Sequence, residues 1–213
     1  MNYSVLIAEK LLQIKAIKLS PQKPFIWASG IKSPIYCDNR ITLSYPKIRT
    51  LVKHGFKELS SYYPGVNTIA GVATAGIAHG VLLADELDLP YIYVRSSAKS
   101  HGRQNLIEGQ LPENSKILLI EDLISTGGSS IKAANALRDA GAEVLSVLAI
   151  FTYEFEQASK NFQKENLTFD TISNYSTLLS IAEKGQYISA SDRNVLDKWN
   201  ADPTNWYSNN FSE

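Results

Sequence analysis

The stretch Ile117-Leu-Leu-Ile-Glu121-Asp122-Leu123-Ile124-Ser125-Thr126-Gly127-Gly128-Ser129 constrains the fold more tightly than any other part of the chain. Four apolar residues without polar alternation fit a strand buried on both faces, as in a parallel sheet covered by helices. They end in two adjacent carboxylates, then in a short loop of hydroxyls and glycines, and residues 131–140 carry a helical pattern closed by Gly141 as C-cap. This order puts Glu121 and Asp122 at the strand's carboxyl end, where open α/β sheets bind ligands. Glycines let the loop wrap closely. Its amides and the hydroxyls of Ser125, Thr126 and Ser129 can then converge on a phosphate at a helix N-terminus.

Two familiar phosphate motifs do not fit. A P-loop needs a lysine directly after its last glycine, and here none follows until Lys132. Gly127-Gly128 also lacks the spacing of a dinucleotide fingerprint. What fits is a pair of acids bonding vicinal ribose hydroxyls while the loop holds a 5′-phosphate. An ordinary polar turn would explain the glycines, but like charges crowded at a strand end cost energy unless a ligand uses them.

The rest of the chain surrounds that motif with alternating elements. Residues 4–17 read as an amphipathic helix, 20–43 as irregular, and 46–59 as a helix with Pro46 in its first turn. A strand over 68–72, the small-residue loop 73–76, a helix over 77–87 and a strand over 91–94 follow. Beyond the motif come a strand over 144–151, a helix up to Lys164, a strand over 169–172, and helices over 176–184 and 192–199. The tail from Pro203 carries no assignable pattern. Strands alternating with helices imply a mostly parallel central sheet flanked by helices, with right-handed crossovers.

Between Arg95 and Ser115 the pattern breaks. The connection is long and polar, which is uncommon in a compact domain unless it serves as a lid. It carries Arg95, Lys99, His101 and Arg103, with Gly102 and Gly109 for flexibility. Cations closing over a pyrophosphate would neutralise developing charge and exclude water. His54 and His79 lie within helical patterns and read as structural.

Composition narrows the classes. A chain of 213 residues suits one α/β domain with appendages. Lys+Arg and Asp+Glu both number 21, so no net charge favours nucleic acid or an anionic membrane. The lone Cys37 excludes an internal disulfide and fits a reducing compartment. The N-terminus lacks the basic and apolar runs of a signal sequence, and no apolar stretch is long enough to span a bilayer. A soluble, cytoplasmic protein is expected.

With these residues in view, the chain resembles the orotate branch of the type I phosphoribosyltransferases. Three segments carry the resemblance: Trp27-Ala-Ser-Gly-Ile-Lys-Ser-Pro-Ile-Tyr-Cys-Asp-Asn-Arg40, the loop Arg95-x-x-x-Lys99-x-His101-Gly102, and residues 117–129. It implies the type I phosphoribosyltransferase fold, with one domain over 1–213. That domain divides into a helix and hood at 1–45, an α/β core at 46–175 with a mobile loop at 95–115, and a helical tail at 176–213. It further implies transfer of a phosphoribosyl group from phosphoribosyl pyrophosphate (PRPP) to orotate, with Mg²⁺ held mainly through PRPP, and a homodimer. By the same resemblance Arg95, Lys99 and His101 meet pyrophosphate, with Lys99, His101 and Asp122 catalytic. Glu121 and Asp122 hold the ribose. Residues Leu123, Ile124, Ser125, Thr126, Gly127, Gly128 and Ser129 hold the 5′-phosphate, and Thr74 lies in the pyrophosphate turn, which in this family often contains a non-proline cis peptide. Ser125 and Tyr36 approach the base. The chain departs from one branch of the family at Ser96, Ala75 and Ala28, each of which replaces a basic residue, so Lys32 and Arg40 become candidates for the orotate carboxylate.

Overall fold

The computed structural model describes residues 2–27, 30–97 and 106–211. Its N-terminal part runs α1 (Tyr3–Gln13), β1 (Ile17–Leu19), β2 (Phe25–Ile26), β3 (Lys32–Ser33), β4 (Ile35–Cys37), a 3-10 helix (Asn39–Ser44) and α2 (Pro46–Ser60). The core follows as β5 (Thr68–Val72), α3 (Ala75–Leu87), β6 (Tyr91–Val94), β7 (Ile107–Glu108), β8 (Lys116–Ile124), α4 (Gly128–Asp139), β9 (Glu143–Thr152), α5 (Glu156–Lys164) and β10 (Phe169–Asn174). Helices α6 (Tyr175–Lys184), α7 (Ala190–Ala201) and α8 (Trp206–Asn210) close the chain.

Six strands form the central sheet in the order β10-β9-β8-β5-β6-β7. Its pairs are parallel except for β7, which runs antiparallel to β6. Strand alternation sorts the apolar run of β8 onto two faces. Leu118 and Ile120 pack with Leu148, Ile150 and the helices α1, α2 and α6. Ile117 and Leu119 pack with Val147 and Ala149 and with Ala134, Leu137 and Phe162 of α4 and α5. Each such side chain, fully withdrawn from water, contributes about 1.5–3 kcal/mol of favourable transfer energy. The unbroken apolar run is therefore the result of a sheet covered twice.

Strand order also decides where a ligand can enter. From β5 the chain winds outward through β6 and β7, then returns to β8 and winds the other way through β9 and β10. The crevice between β5 and β8 is the switch point at which such sheets bind ligands. Pairing of β5 with β8 ends at Gly71–Ile120, whereas β9 stays paired with β8 as far as Ile124–Thr152.

Several sequence expectations shift. The strand over 117–120 extends through both acids, because the long β9 keeps it paired past the point where β5 leaves. Helix α1 stops at Gln13, where Ile14 caps it and Lys15 takes a left-handed φ of 57°, freeing Ile17–Leu19 for pairing with β4. The described residues of the segment 20–43 form β2, β3, β4 and the 3-10 helix rather than an irregular stretch, with the small antiparallel pairs β1–β4 and β2–β3. The polar connection includes β7, whose short pairing with β6 had no turn signal to announce it. The tail forms α8, with Trp206 buried in the same apolar cluster as α1 and α7.

Candidate active site

Glu121 and Asp122 lie where β8 has lost one neighbour and kept the other. Alternation turns Glu121 toward α4, where the hydroxyls of Ser129 and Ser130 donate to its Oε2 at 3.1 and 3.3 Å. Its Oε1 accepts the Asp122 amide at 3.0 Å. Asp122 looks toward the N-terminal segment, where Arg40 and Asp38 are its charged neighbours. Glu121 is only 5% exposed, and burial, with the adjacent Asp122 charge, raises its pKa well above the usual carboxylate range. Burial also raises Asp122, while a hydrogen bond with the Glu121 carboxyl opposes that rise. Two desolvated acids hold charge poorly unless a cation or hydroxyl donors arrive.

The loop after β8 approaches the N-terminus of α4. Gly127 caps that helix at φ 81°, and no side-chain hydrogen bond occupies the cap. An added Cβ at Gly127 would meet the Phe162 ring at 2.3 Å, so the turn tolerates no side chain. Thr126 is fastened from outside, its carbonyl accepting from Asn161 Nδ2 at 2.9 Å. The first-turn amides of α4 face the loop with the positive end of the helix dipole behind them, an arrangement suited to phosphate. Ile124 is fully buried and its carbonyl is engaged by the Tyr153 amide, so it shapes the loop without offering a side chain.

Across the crevice, β5 ends in a turn containing a cis Ala73–Thr74 peptide bond, the feature implied for the pyrophosphate turn. The Ala73 amide donates to the Val94 carbonyl at 2.8 Å, joining this turn to the end of β6. Thr74 then begins α3 without a side-chain cap bond. Arg95 follows β6 directly, its guanidinium 3.5 Å from the Glu108 carboxylate and its amide bonded to Leu106. Lys132 of α4 donates to the Ser96 carbonyl at 2.8 Å, so this corner is tied to α4. Lys99 and His101 lie outside the described residues, as do Ala28 and Arg103.

A cavity of about 240 Å³ opens beside the acids, lined by Trp27, Tyr36, Cys37, Leu123, Ser125 and Tyr153. Tyr36 and Ser125 were expected at a base, and they share its wall. Trp27, Cys37 and Tyr153 were not singled out; an aromatic at the end of a buried strand was the available signal for Tyr153. The two candidates for a carboxylate partner are engaged elsewhere. Lys32 Nζ stands 3.7 Å from the ring centroid of Tyr207, and Arg40 makes a two-pronged contact with Asp38 at 2.7 and 2.9 Å. His79 is buried in α3 against Thr42, and burial, aided by the Arg49 charge, pushes its pKa down to about 4. Among the described residues, no group of three His, Cys, Asp or Glu side chains converges to hold a metal. No helix among them is long and apolar enough to cross a membrane.

A switch-point crevice with a carboxyl pair on one lip, a phosphate cradle beside it and an aromatic slot behind defines a sugar-phosphate transferase. Residues 43–177 match the phosphoribosyl transferase domain. Orotate phosphoribosyltransferase of Porphyromonas gingivalis is 52% identical over 94% of this chain and 96% of its own length. That of Cytophaga hutchinsonii is 48% identical over 97% and 99%. Among solved structures, Leishmania donovani UMP synthase matches with a TM-score of 0.78 and 28% identity, over 92% of this chain and 42% of that one. The Aeropyrum pernix orotate phosphoribosyltransferase shares the fold at a TM-score of 0.74 and 24% identity, over 86% and 99%. The chain belongs to the orotate phosphoribosyltransferase family.

Proposed function

We propose that this protein transfers the 5-phosphoribosyl group of PRPP to orotate, releasing pyrophosphate and forming orotidine 5′-phosphate in pyrimidine nucleotide synthesis. The observation that carries this reading is the carboxyl pair Glu121–Asp122 set between the α4 cradle and the aromatic cavity, in a chain half identical to orotate phosphoribosyltransferases along nearly its whole length.

Roles follow from position. The amides and hydroxyls of residues 125–129 hold the 5′-phosphate at the positive end of α4. Glu121 and Asp122 take the ribose hydroxyls, whose O–H groups satisfy carboxylates that burial disfavours. Departure of pyrophosphate ahead of attack by the base leaves positive charge on the ribose ring, and the buried acids stabilise it strongly in that low-dielectric setting. Thr74 and Arg95 stand on the opposite lip of the crevice, where the pyrophosphate would lie. Lys99 and His101 are assigned to the departing pyrophosphate from the resemblance. The base occupies the cavity beside Tyr36 and Ser125.

The donor set suits Mg²⁺ carried by the substrate. Two adjacent carboxyls can reach a cation that keeps most of its other contacts to phosphate oxygens and water, as Mg²⁺ does. When bound, that ion neutralises the pyrophosphate. We further assign a homodimer and a cytoplasmic location, which fit the family and the single cysteine.

The direct test is the ultraviolet absorbance of orotate on adding PRPP and Mg²⁺. Absorbance should fall, EDTA should abolish the change, and adenine, hypoxanthine and uracil should not be consumed. Consumption of one of those bases with orotate left intact would replace the assignment.

A further inference from the structure

The cavity beside the acid pair contains a donor that the protein itself does not use. Tyr153, just past the end of β9, is only 2% exposed and yet lines that cavity. Its other parts are fixed. The amide donates to the Ile124 carbonyl at 3.2 Å, and the carbonyl accepts Asn200 Nδ2 of α7 at 2.6 Å. The ring stacks on Trp27 at 5.8 Å and 22°, and meets the edge of Trp199 at 5.5 Å and 88°. Among the described residues, no group hydrogen-bonds the phenol oxygen. A hydroxyl in the wall of a cavity with no protein partner is free to bond a molecule that enters it.

Two of the other donors in the slot are committed. The Trp27 indole N–H donates to the Ile35 carbonyl at 3.1 Å, and the Cys37 thiol to Asn39 at 3.3 Å. Among the described residues, no lysine or arginine lines the slot. A flat pyrimidine carries acceptor oxygens around its rim, and the donors that the described lining residues offer them are neutral. Burial, with Cys37, Tyr175 and Asp122 nearby, raises the Tyr153 pKa far above neutrality, so the phenol keeps its proton.

We propose that Tyr153 is a base-contacting residue whose hydroxyl donates a hydrogen bond to an acceptor oxygen on the rim of the pyrimidine, with Trp199 and Asn200 of the C-terminal helix acting as positioning residues for it. The assignment rests on the phosphoribosyl-transfer reading and extends it to the specificity of the base site. It also gives the C-terminal segment a part in the reaction. The tail braces one wall of the slot from behind.

Tyr153→Phe tests it, since that change removes one oxygen and leaves the ring packing in place. Steady-state kinetics with each substrate varied should show the KM for orotate raised about tenfold, with the KM for PRPP and the melting temperature near wild type. Trp199→Phe should raise the ratio of the two KM values as well, beyond any loss of stability. A merely structural role would lower the melting temperature and leave that ratio alone. An orotate KM for Tyr153→Phe within about twofold of wild type would overturn the base contact while leaving the reaction assigned. Failure of the wild-type protein to consume orotate would overturn both.

Discussion

The side-chain amide of Asn39 donates a 2.7 Å hydrogen bond to the main-chain carbonyl of Asp122. Asn39 is fully buried and opens the 3-10 helix, whereas Asp122 sits in β8 beyond the last pairing with β5. A strand edge that has lost its neighbour would otherwise bury an unpaired carbonyl beside the reacting centre. The N-terminal segment thus completes the sheet with a side chain where it has no strand to offer.

Asn39→Ala should cost about 1–3 kcal/mol, the penalty for leaving a buried acceptor unsatisfied. Urea denaturation reads the stability directly. The same variant should lose kcat/KM for both substrates, since Asp122 would lose its register. An unchanged midpoint would show that the contact carries no weight.

Gly76 presents a sharper case. Alanine inside a helix normally gains up to about 1 kcal/mol over glycine. Here its Cβ would lie 2.2 Å from the Ile120 carbonyl oxygen, a backbone atom one residue before Glu121. Gly76→Ala should therefore destabilise by about 1–3 kcal/mol and depress activity by displacing β8. Thermal melts and initial rates give the two signs together, and a stabilised variant would contradict the packing.

The raised carboxyl pair predicts a pH signature. Groups whose folded pKa exceeds the unfolded value bind more protons when folded, so stability falls as pH rises from the unfolded value through the folded one. For Glu121 and Asp122 that window opens near pH 4 and extends upward. Glu121→Gln removes the charge that burial penalises. It should melt above wild type at pH 7.5, with the gap closing toward pH 4, and should lose most of its activity. A gap independent of pH would sink the explanation by desolvation.

Lys99 carries the remaining forecast, made from the loop motif. If it steadies the departing pyrophosphate, Lys99→Ala should lower turnover by about a hundredfold while PRPP affinity falls much less. Stopped-flow product formation and equilibrium PRPP binding separate the two. Comparable values to wild type in both would remove the loop from the mechanism.

Much of the architecture was legible in the sequence. The unbroken Ile117–Ile120 run required two covering layers, and the helices and strands around it fell within a few residues of their positions. The turn into α4 was readable because glycine and hydroxyl residues in a row favour a tight loop. Boundaries were less legible. Glu121 and Asp122 read as the carboxyl end of the strand because acids resist burial, yet pairing with β9 carries the strand on to Ile124. The two-residue strand β7 and the pairs of the N-terminal segment are too short for any periodicity to show.

Local order in the chain was enough to determine the parallel layered class and the sugar-phosphate chemistry, because a buried strand, an acid pair and a glycine loop are contiguous and report themselves within a few residues. Tertiary structure alone decided the rest. Asn39 meets Asp122 from 83 positions away, and Asn200 reaches Tyr153 from 47. Contacts at such separations arise from how sheet and helices stack, and no periodicity along the chain encodes them. The aromatic cavity is built from contacts of that kind, which is why the reaction class was legible in the sequence while most of the cavity wall was not.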